Sequence, residues 1–160
     1  MLIANLHSLT QIKNAAELKQ NTYEIAAAWL ACGLDTDKTF FYRQSDIPET
    51  PELTWLLTCV CAKGLMNRAH AYKAATDANA AAGEDLDAGV TMGLFSYPIL
   101  MAADILLYQA TLVPVGSDQR QHLELARDIA LKFNREFNAD LAIPAAMSTH
   151  AARIMSLTNA

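Results

Sequence analysis

The chain has 160 residues, 52% of them hydrophobic, with 17 acidic against 12 basic side chains and a formal net charge of −5. That length can bury one real core, so a single globular unit is expected. A net acidic chain in which no run of Lys or Arg exceeds two has no general grip on nucleic acid.

The chain opens with MLIANL, a buried-strand pattern beginning at its first residue. His7 lies just past that strand's carboxyl end, where it reads equally as a capping or loop histidine. Asn14 with Glu17 three positions on forms a capping-box-like start. The helix it opens should turn Leu18, Ile25, Ala26, Trp29 and Leu30 inward and stop at Gly33. Thr39 to Tyr42 read as a second strand, so strand, helix and strand imply a right-handed parallel crossover.

From Ser45 to Tyr108 the pattern is mainly helical. Thr50 as cap, Pro51 at the first position and Glu52 in the first turn begin a helix with Leu53, Leu56, Leu57 and Val60 on its apolar face. Gly64 is expected to divide it from a second piece, Leu65 to Lys73. Ala74 to Gly89, rich in Ala, Asp and Gly with little apolar periodicity, reads as the flexible segment of the chain. Cys32, Cys59 and Cys61 read as buried thiols in a reducing compartment. The last two, two apart on a helix, diverge by roughly 200° and neither pair nor chelate easily. No apolar run approaches 18 residues and Met1 to Leu6 lacks a basic flank, so neither a membrane span nor a secretory signal is visible, and a cytoplasmic protein is expected.

The richest stretch is SYPILMAADILLYQATLVPVGSDQRQH, Ser96 to His122. Ser96 can cap a helix and Pro98 suits its first turn. Tyr97, Met101, Asp104 and Tyr108 then recur at i, i+4, i+7 and i+11, which at about 100° per residue is one stripe with a carboxylate in a greasy row. Leu112 to Val115 has no polar alternation, as in a parallel strand covered on both faces. It ends at Gly116, and Ser117, Asp118 and Gln119 open a helix to about Phe133 with Leu123, Leu125, Ala126, Ile129, Ala130 and Phe133 inward. Asn134 to Ala152 reads mostly as loop and Arg153 to Leu157 as a last short strand. In an open α/β sheet, ligands sit beyond the carboxyl ends of strands, beside helix N-termini, and VGSDQ is such a place. Each residue also has a plain structural reading: a partly exposed or paired Asp104, a capping Ser117 or Asp118, core Tyr97, Met101 and Ile154, a helix-pairing His122, a solvated Lys73.

The string PxLMAADILLY followed by VPVGxDQxQHLELARD resembles the tryptophanyl-tRNA synthetases, a family of class I aminoacyl-tRNA synthetases. LHSLT, FYRQSDIPETPELTWLL, GLMNRAHAYK and ARIMSL are similar to stretches of the same family in the same order, so the likeness covers nearly the whole chain. Two departures are Ala75, where the family commonly has a lysine, and Ile99, where it often has a second proline. The HIGH signature, which in the family precedes the stretch matching Met1, and the KMSKS loop, which follows one like ARIMSL, do not occur in these residues. The resemblance implies that residues 1–160 are the middle of a catalytic domain. Its fold would be α/β, a Rossmann-like parallel sheet, incomplete with its first strand and helix missing, carrying a helical connective insertion at 45–110 that supplies the interface of a homodimer.

It further implies activation of tryptophan by ATP and transfer of the aminoacyl group to tRNA(Trp), with Mg2+ brought by the ATP, no protein metal site and no membrane partner. The substrate's own carboxylate attacks the α-phosphorus, so no nucleophilic side chain is needed, no triad is visible, and no catalytic residue is assigned. An indole N–H only donates, and its fitting partner in an apolar slot is an ionised carboxylate such as Asp104. Met101, Val113 and Val115 would wall the ring, the two valines sharing a strand face by period two. Tyr97 and Gln119 would accept from the substrate ammonium, and His7 matches a position near the amino-acid pocket. For ATP the expected residues are Gly116, Ser117, Asp118 and, through its backbone, Ile154. A carboxylate also suits a phenol, so tryptophan over tyrosine rests on the resemblance. The alternative is a non-catalytic binding or self-association module derived from a synthetase; flanking HIGH and KMSKS segments in the parent gene would discriminate.

Overall fold

The computed structural model describes residues 1–116 and 119–147 and forms two compact units, 1–50 and 51–160. In the first unit, β1 (Leu2–Ile3) pairs in parallel with β2 (Tyr42–Arg43), Leu2 against Tyr42 and Ile3 against Arg43. Between them runs α1 (Ala15–Ala31), where the Asn14 side chain accepts from the N–H groups of Ala16 (2.9 Å) and Glu17 (3.2 Å), as a cap should. Gly33, at φ +95°, lies just past its end in a conformation open to residues without a Cβ.

The inward stripe expected of α1 is only partly realised. Leu18, Ala26 and Trp29 are half-buried, the last against Phe41 with ring centroids 5.6 Å apart, but Ile25 is 46% and Leu30 48% exposed. Two strands of two residues are too narrow a platform to cover a four-turn helix. A cleft of about 520 Å³, lined among others by Ile3, Leu18, Tyr23 and Phe41, remains between helix and strands.

The second unit is helical with a small sheet. α2 (Glu49–Val60), α3 (Lys63–Met66), α4 (His70–Ala82) and α5 (Met92–Leu106) precede β3 (Leu112–Pro114); α6 (Arg120–Phe137) and β4 (Ala145–Met147) follow. β3 and β4 pair in parallel, Val113 opposite Ala146. The core is one cluster in which Leu57, Val60 and Met66 meet Ile99, Ala102, Ala103 and Leu106 of α5 and Leu125, Ala126, Ile129 and Ala130 of α6. The alanines let α5 and α6 approach closely, and the buried face of α6 is the one its periodicity predicts. Among the described residues no helix is long and apolar enough to cross a membrane.

Several boundaries differ from expectation for identifiable reasons. α2 starts at Glu49, so Thr50 lies inside the first turn and Pro51 third; both positions are where a helical N–H needs no partner, which is why Pro51 is tolerated there. Leu56 faces outward, 44% exposed. The break after α2 falls at Cys61 and Ala62, and Gly64 sits within α3. Ala74 to Gly89, expected to be flexible, is helical through Ala82. Alanine is the best helix former, and Gly83 closes the helix in the left-handed conformation at φ +73°. The turn beyond it is tied down: Asn79 donates to the carbonyls of Leu86 (2.9 Å) and Ala88 (2.8 Å), and Tyr72 to Asp87 (2.7 Å).

α5 begins four residues before Ser96, because Thr91 caps it by accepting from Leu94 N–H at 3.2 Å. Ser96 instead donates to the Met92 carbonyl, and Pro98 lies buried in the helix interior, where it cannot bond back to Leu94. β3 is not covered on both faces: Leu112 is 62% exposed, and among the described residues β4 is the one strand paired with it. β4 itself lies in the expected loop, its alanines giving no strand signal. Cys32 and Cys59 are exposed, not buried, one at the C-terminal cap of α1 and the other on the outward side of α2; Cys61 is half-buried, and burial pushes its thiol pKa up. All three are free thiols. The expected strand from Arg153 to Leu157 lies outside the described residues.

Candidate functional site

α5 has one charged residue, Asp104. Ile99, Ala102, Ala103 and Leu106 commit one side of the helix to the core, which leaves Tyr97, Met101 and Asp104 together on a half-buried stripe. The fourth predicted member departs from it: α5 ends at Leu106, the chain turns through Gln109 at φ +51°, and Tyr108 is 53% exposed.

Tyr97 is held from α6. Its hydroxyl lies 3.2 Å from His122 Nε2, the two rings meet edge to face at 5.5 Å, and His122 is only 8% exposed. Burial raises the phenol pKa above its ordinary value, so the hydroxyl keeps its proton at neutral pH.

Along β3 the pleat behaves as period two requires. Val113 and Val115 are half-buried while Leu112 and Pro114 are exposed, so the two valines share a face. Val115 N–H donates to the Met147 carbonyl at 3.2 Å, which extends the ladder with β4. At the strand's carboxyl end Gly116 is half-buried and its carbonyl accepts from the N–H of Gln119, the N-cap of α6, at 3.1 Å. Ser117, Asp118 and Ile154 lie outside the described residues. Lys73 is exposed on α4.

His7 belongs to the first unit and starts a short 3-10 turn directly after β1. A residue that sequence reasoning missed holds this loop: Gln44, fully buried, accepts from the backbone N–H groups of both Leu6 and His7 at 3.2 Å. Asn5 and Ser45 add a reciprocal pair, Asn5 Nδ2 to Ser45 Oγ at 2.8 Å and Ser45 N–H to Asn5 Oδ1 at 3.1 Å. The available signal was position, since Asn5 and Gln44 both fall beyond the carboxyl ends of parallel strands. Gln121 was missed as well. Its amide bridges α6 to the start of α4, accepting from His70 N–H (3.0 Å) and donating to the Arg68 carbonyl (2.9 Å).

A half-buried carboxylate, a thioether and a phenol share one helix stripe, and a carboxylate is an acceptor-only group suited to a ring that carries a donor. Comparison with known proteins identifies the family. A family model described as tRNA synthetases class I (W and Y) matches residues 1–159. The tryptophan-tRNA ligase of Xanthomonas campestris pv. campestris is 64% identical over 138 residues, 86% of this chain and 32% of that protein. That of Pseudomonas aeruginosa is 64% identical over 135 residues, 84% of this chain and 30% of that one. The structure of Campylobacter jejuni tryptophanyl-tRNA synthetase complexed with ADP and tryptophan superposes with a TM-score of 0.82 at 43% identity, covering 99% of this chain and 50% of that one. The chain thus spans about a third of the length of the curated relatives it matches.

Proposed function

The chain belongs to the class I tRNA synthetases of the W and Y family, and from that membership we propose that it is the segment of a tryptophan-tRNA ligase that carries the tryptophan pocket and part of the ATP site. Its mixed α/β fold with short parallel strands is that of the family's Rossmann-type catalytic domain. The observation that carries the proposal is Asp104, the lone charge of α5, half-buried on one stripe with Tyr97 and Met101.

In this reading the full-length enzyme joins a tryptophan carboxylate oxygen to the α-phosphorus of ATP as the bond to pyrophosphate breaks, and tRNA(Trp) then receives the tryptophanyl group with release of AMP. Asp104 accepts the indole N–H, Met101, Val113 and Val115 wall the ring, and Tyr97 and Gln119 accept from the ammonium, while His7 of the first unit matches a position that in the family lies near the amino-acid pocket. Gly116 lets the nucleotide approach the backbone, with Ser117, Asp118 and Ile154 completing that side. Mg2+ arrives on the ATP. These residues bind and orient, and the charge building on the phosphates is met by segments with signatures that these 160 residues do not contain. Residues 45–110 form the connective insertion and homodimer surface, and the protein acts in the cytoplasm, where free thiols are stable.

The test is a chimera in which this segment replaces the matching third of the Pseudomonas aeruginosa relative. Tryptophan-dependent exchange of pyrophosphate into ATP is expected from the chimera and none from the 160-residue chain alone. Exchange that depends on tyrosine instead, or robust exchange by the isolated chain, would overturn the proposal.

A further inference from the structure

The Tyr97–His122 contact can run in either direction, according to the imidazole tautomer, and the direction matters for what the neighbouring stripe can bind. An ammonium offers three N–H donors and no acceptor, so every group that reads it must present a lone pair. A phenol is ambiguous in this respect: its O–H can swing toward a ligand and ask for an acceptor, or swing away and leave only lone pairs facing it. His122 Nε2 stands 3.2 Å from that hydroxyl on a buried helix-helix contact. Resting on the site reading above, we infer that His122 is a positioning residue for substrate recognition: its Nε2 takes the Tyr97 O–H, and the phenol oxygen is thereby an acceptor only, selective for the amine of the amino acid.

The pairing requires neutral His122 with its proton on Nδ1, so that Nε2 is the acceptor. The burial-raised phenol pKa supports it, because a phenolate would have no proton to give. With the proton committed to His122, every further hydrogen bond of the Tyr97 oxygen is one that it accepts. The two rings meet edge to face, at 5.5 Å and 61°, an arrangement that aromatic pairs favour. His122 thus acts through Tyr97 and touches no reacting atom.

The test uses the 160-residue chain labelled with 15N in its histidine rings. His122 Nε2 should resonate as an unprotonated acceptor and move in Tyr97→Phe, and a protonated Nε2 overturns the inference. Binding of tryptophan is then compared with that of indole-3-propionic acid, which has the ring and carboxylate without the amine. His122→Phe should weaken tryptophan roughly 3- to 10-fold, the worth of an ordinary hydrogen bond, and leave indole-3-propionic acid unchanged. His122→Gln, with an amide oxygen to accept, should restore most of the loss, and His122→Phe should add nothing in a Tyr97→Phe background. Equal losses for both ligands would mean that His122 only supports the fold, and would sink this inference while the site reading stands. A wild-type chain that binds no tryptophan at millimolar concentration would overturn the site reading and this role with it.

Discussion

Asp104 and Tyr97 are the residues on which the recognition chemistry turns, and each makes a separate prediction. If Asp104 accepts the indole N–H in an apolar slot, the bond is charged and sheltered, worth roughly 1.5 to 3 kcal/mol. In the full-length chimera, Asp104→Ala should then lower kcat/KM for tryptophan by roughly 10- to 150-fold. ATP affinity should change little, since Asp104 sits on the α5 stripe and not at Gly116. The sharper readout is 1-methyltryptophan, which lacks the donor: wild type should reject it and the variant relatively less, because an acceptor left unpaired is what penalises such analogues. Equal losses for both substrates would mean that Asp104 does not read the ring. Tyr97 predicts an alkaline effect. Its folded pKa is raised by burial above the value near 10 of an unfolded tyrosine. A raised pKa leaves its contribution to stability intact below about pH 10, and that contribution is lost as pH climbs through the folded value. Urea midpoints above about pH 10 should therefore fall less steeply in Tyr97→Phe than in wild type. Tyr72, raised chiefly by its bond to Asp87, leaves a residual slope in both.

At the level of elements, α4 depends on a neighbour for its beginning. Its N-cap is Ala69, which has no side-chain acceptor, and Gln121 of α6 supplies both hydrogen bonds. Removing them in Gln121→Ala should cost about 1 to 2 kcal/mol, seen as a lower urea midpoint at unchanged m-value and faster amide exchange at His70. An unchanged midpoint with unchanged exchange would mean that α4 starts without help. The same helix shows why local reading misjudged Ala74 to Gly89. A search for apolar stripes passes over a segment whose helicity comes from alanine propensity and whose far end is closed by Gly83, Asn79 and the Tyr72–Asp87 bond. α5 gives the opposite lesson: Ser96 and Pro98 together look like a helix start, and Thr91 five residues before Ser96 takes that role.

The whole molecule presents α2 as its candidate for self-association. Leu57 and Val60 are committed to the core, while Trp55 is 68% and Leu56 44% exposed on the other side. A tryptophan left in water on a helix surface is the kind of anchor that dimer interfaces use. The 160-residue chain is expected to sediment as a dimer at high micromolar concentration and as a monomer in Trp55→Asp. A wild-type monomer at that concentration would remove the proposal for the 45–110 region.

Much of this protein was determined by its sequence alone. The buried face of α6, the Asn14 cap, the shared face of Val113 and Val115 and the α5 stripe from Tyr97 to Asp104 all follow from local periodicity or local hydrogen bonding, which neighbours within one element decide; the parallel pairing of the first two strands was legible from the strand, helix and strand order instead. The family too was legible, because the strings around Asp104 and Gly116 are specific. What needed the tertiary structure were facts that depend on partners distant in the chain: that Leu112 of β3 is bare, that Ile25 and Leu30 of α1 find too little sheet to cover them, that Gln44 holds the loop carrying His7, that Gln121 starts α4, and that Tyr97 meets His122. A sequence pattern states which face of an element is apolar. Whether something covers that face, and which polar atom meets which across tens of residues, is set by the packing of elements against one another.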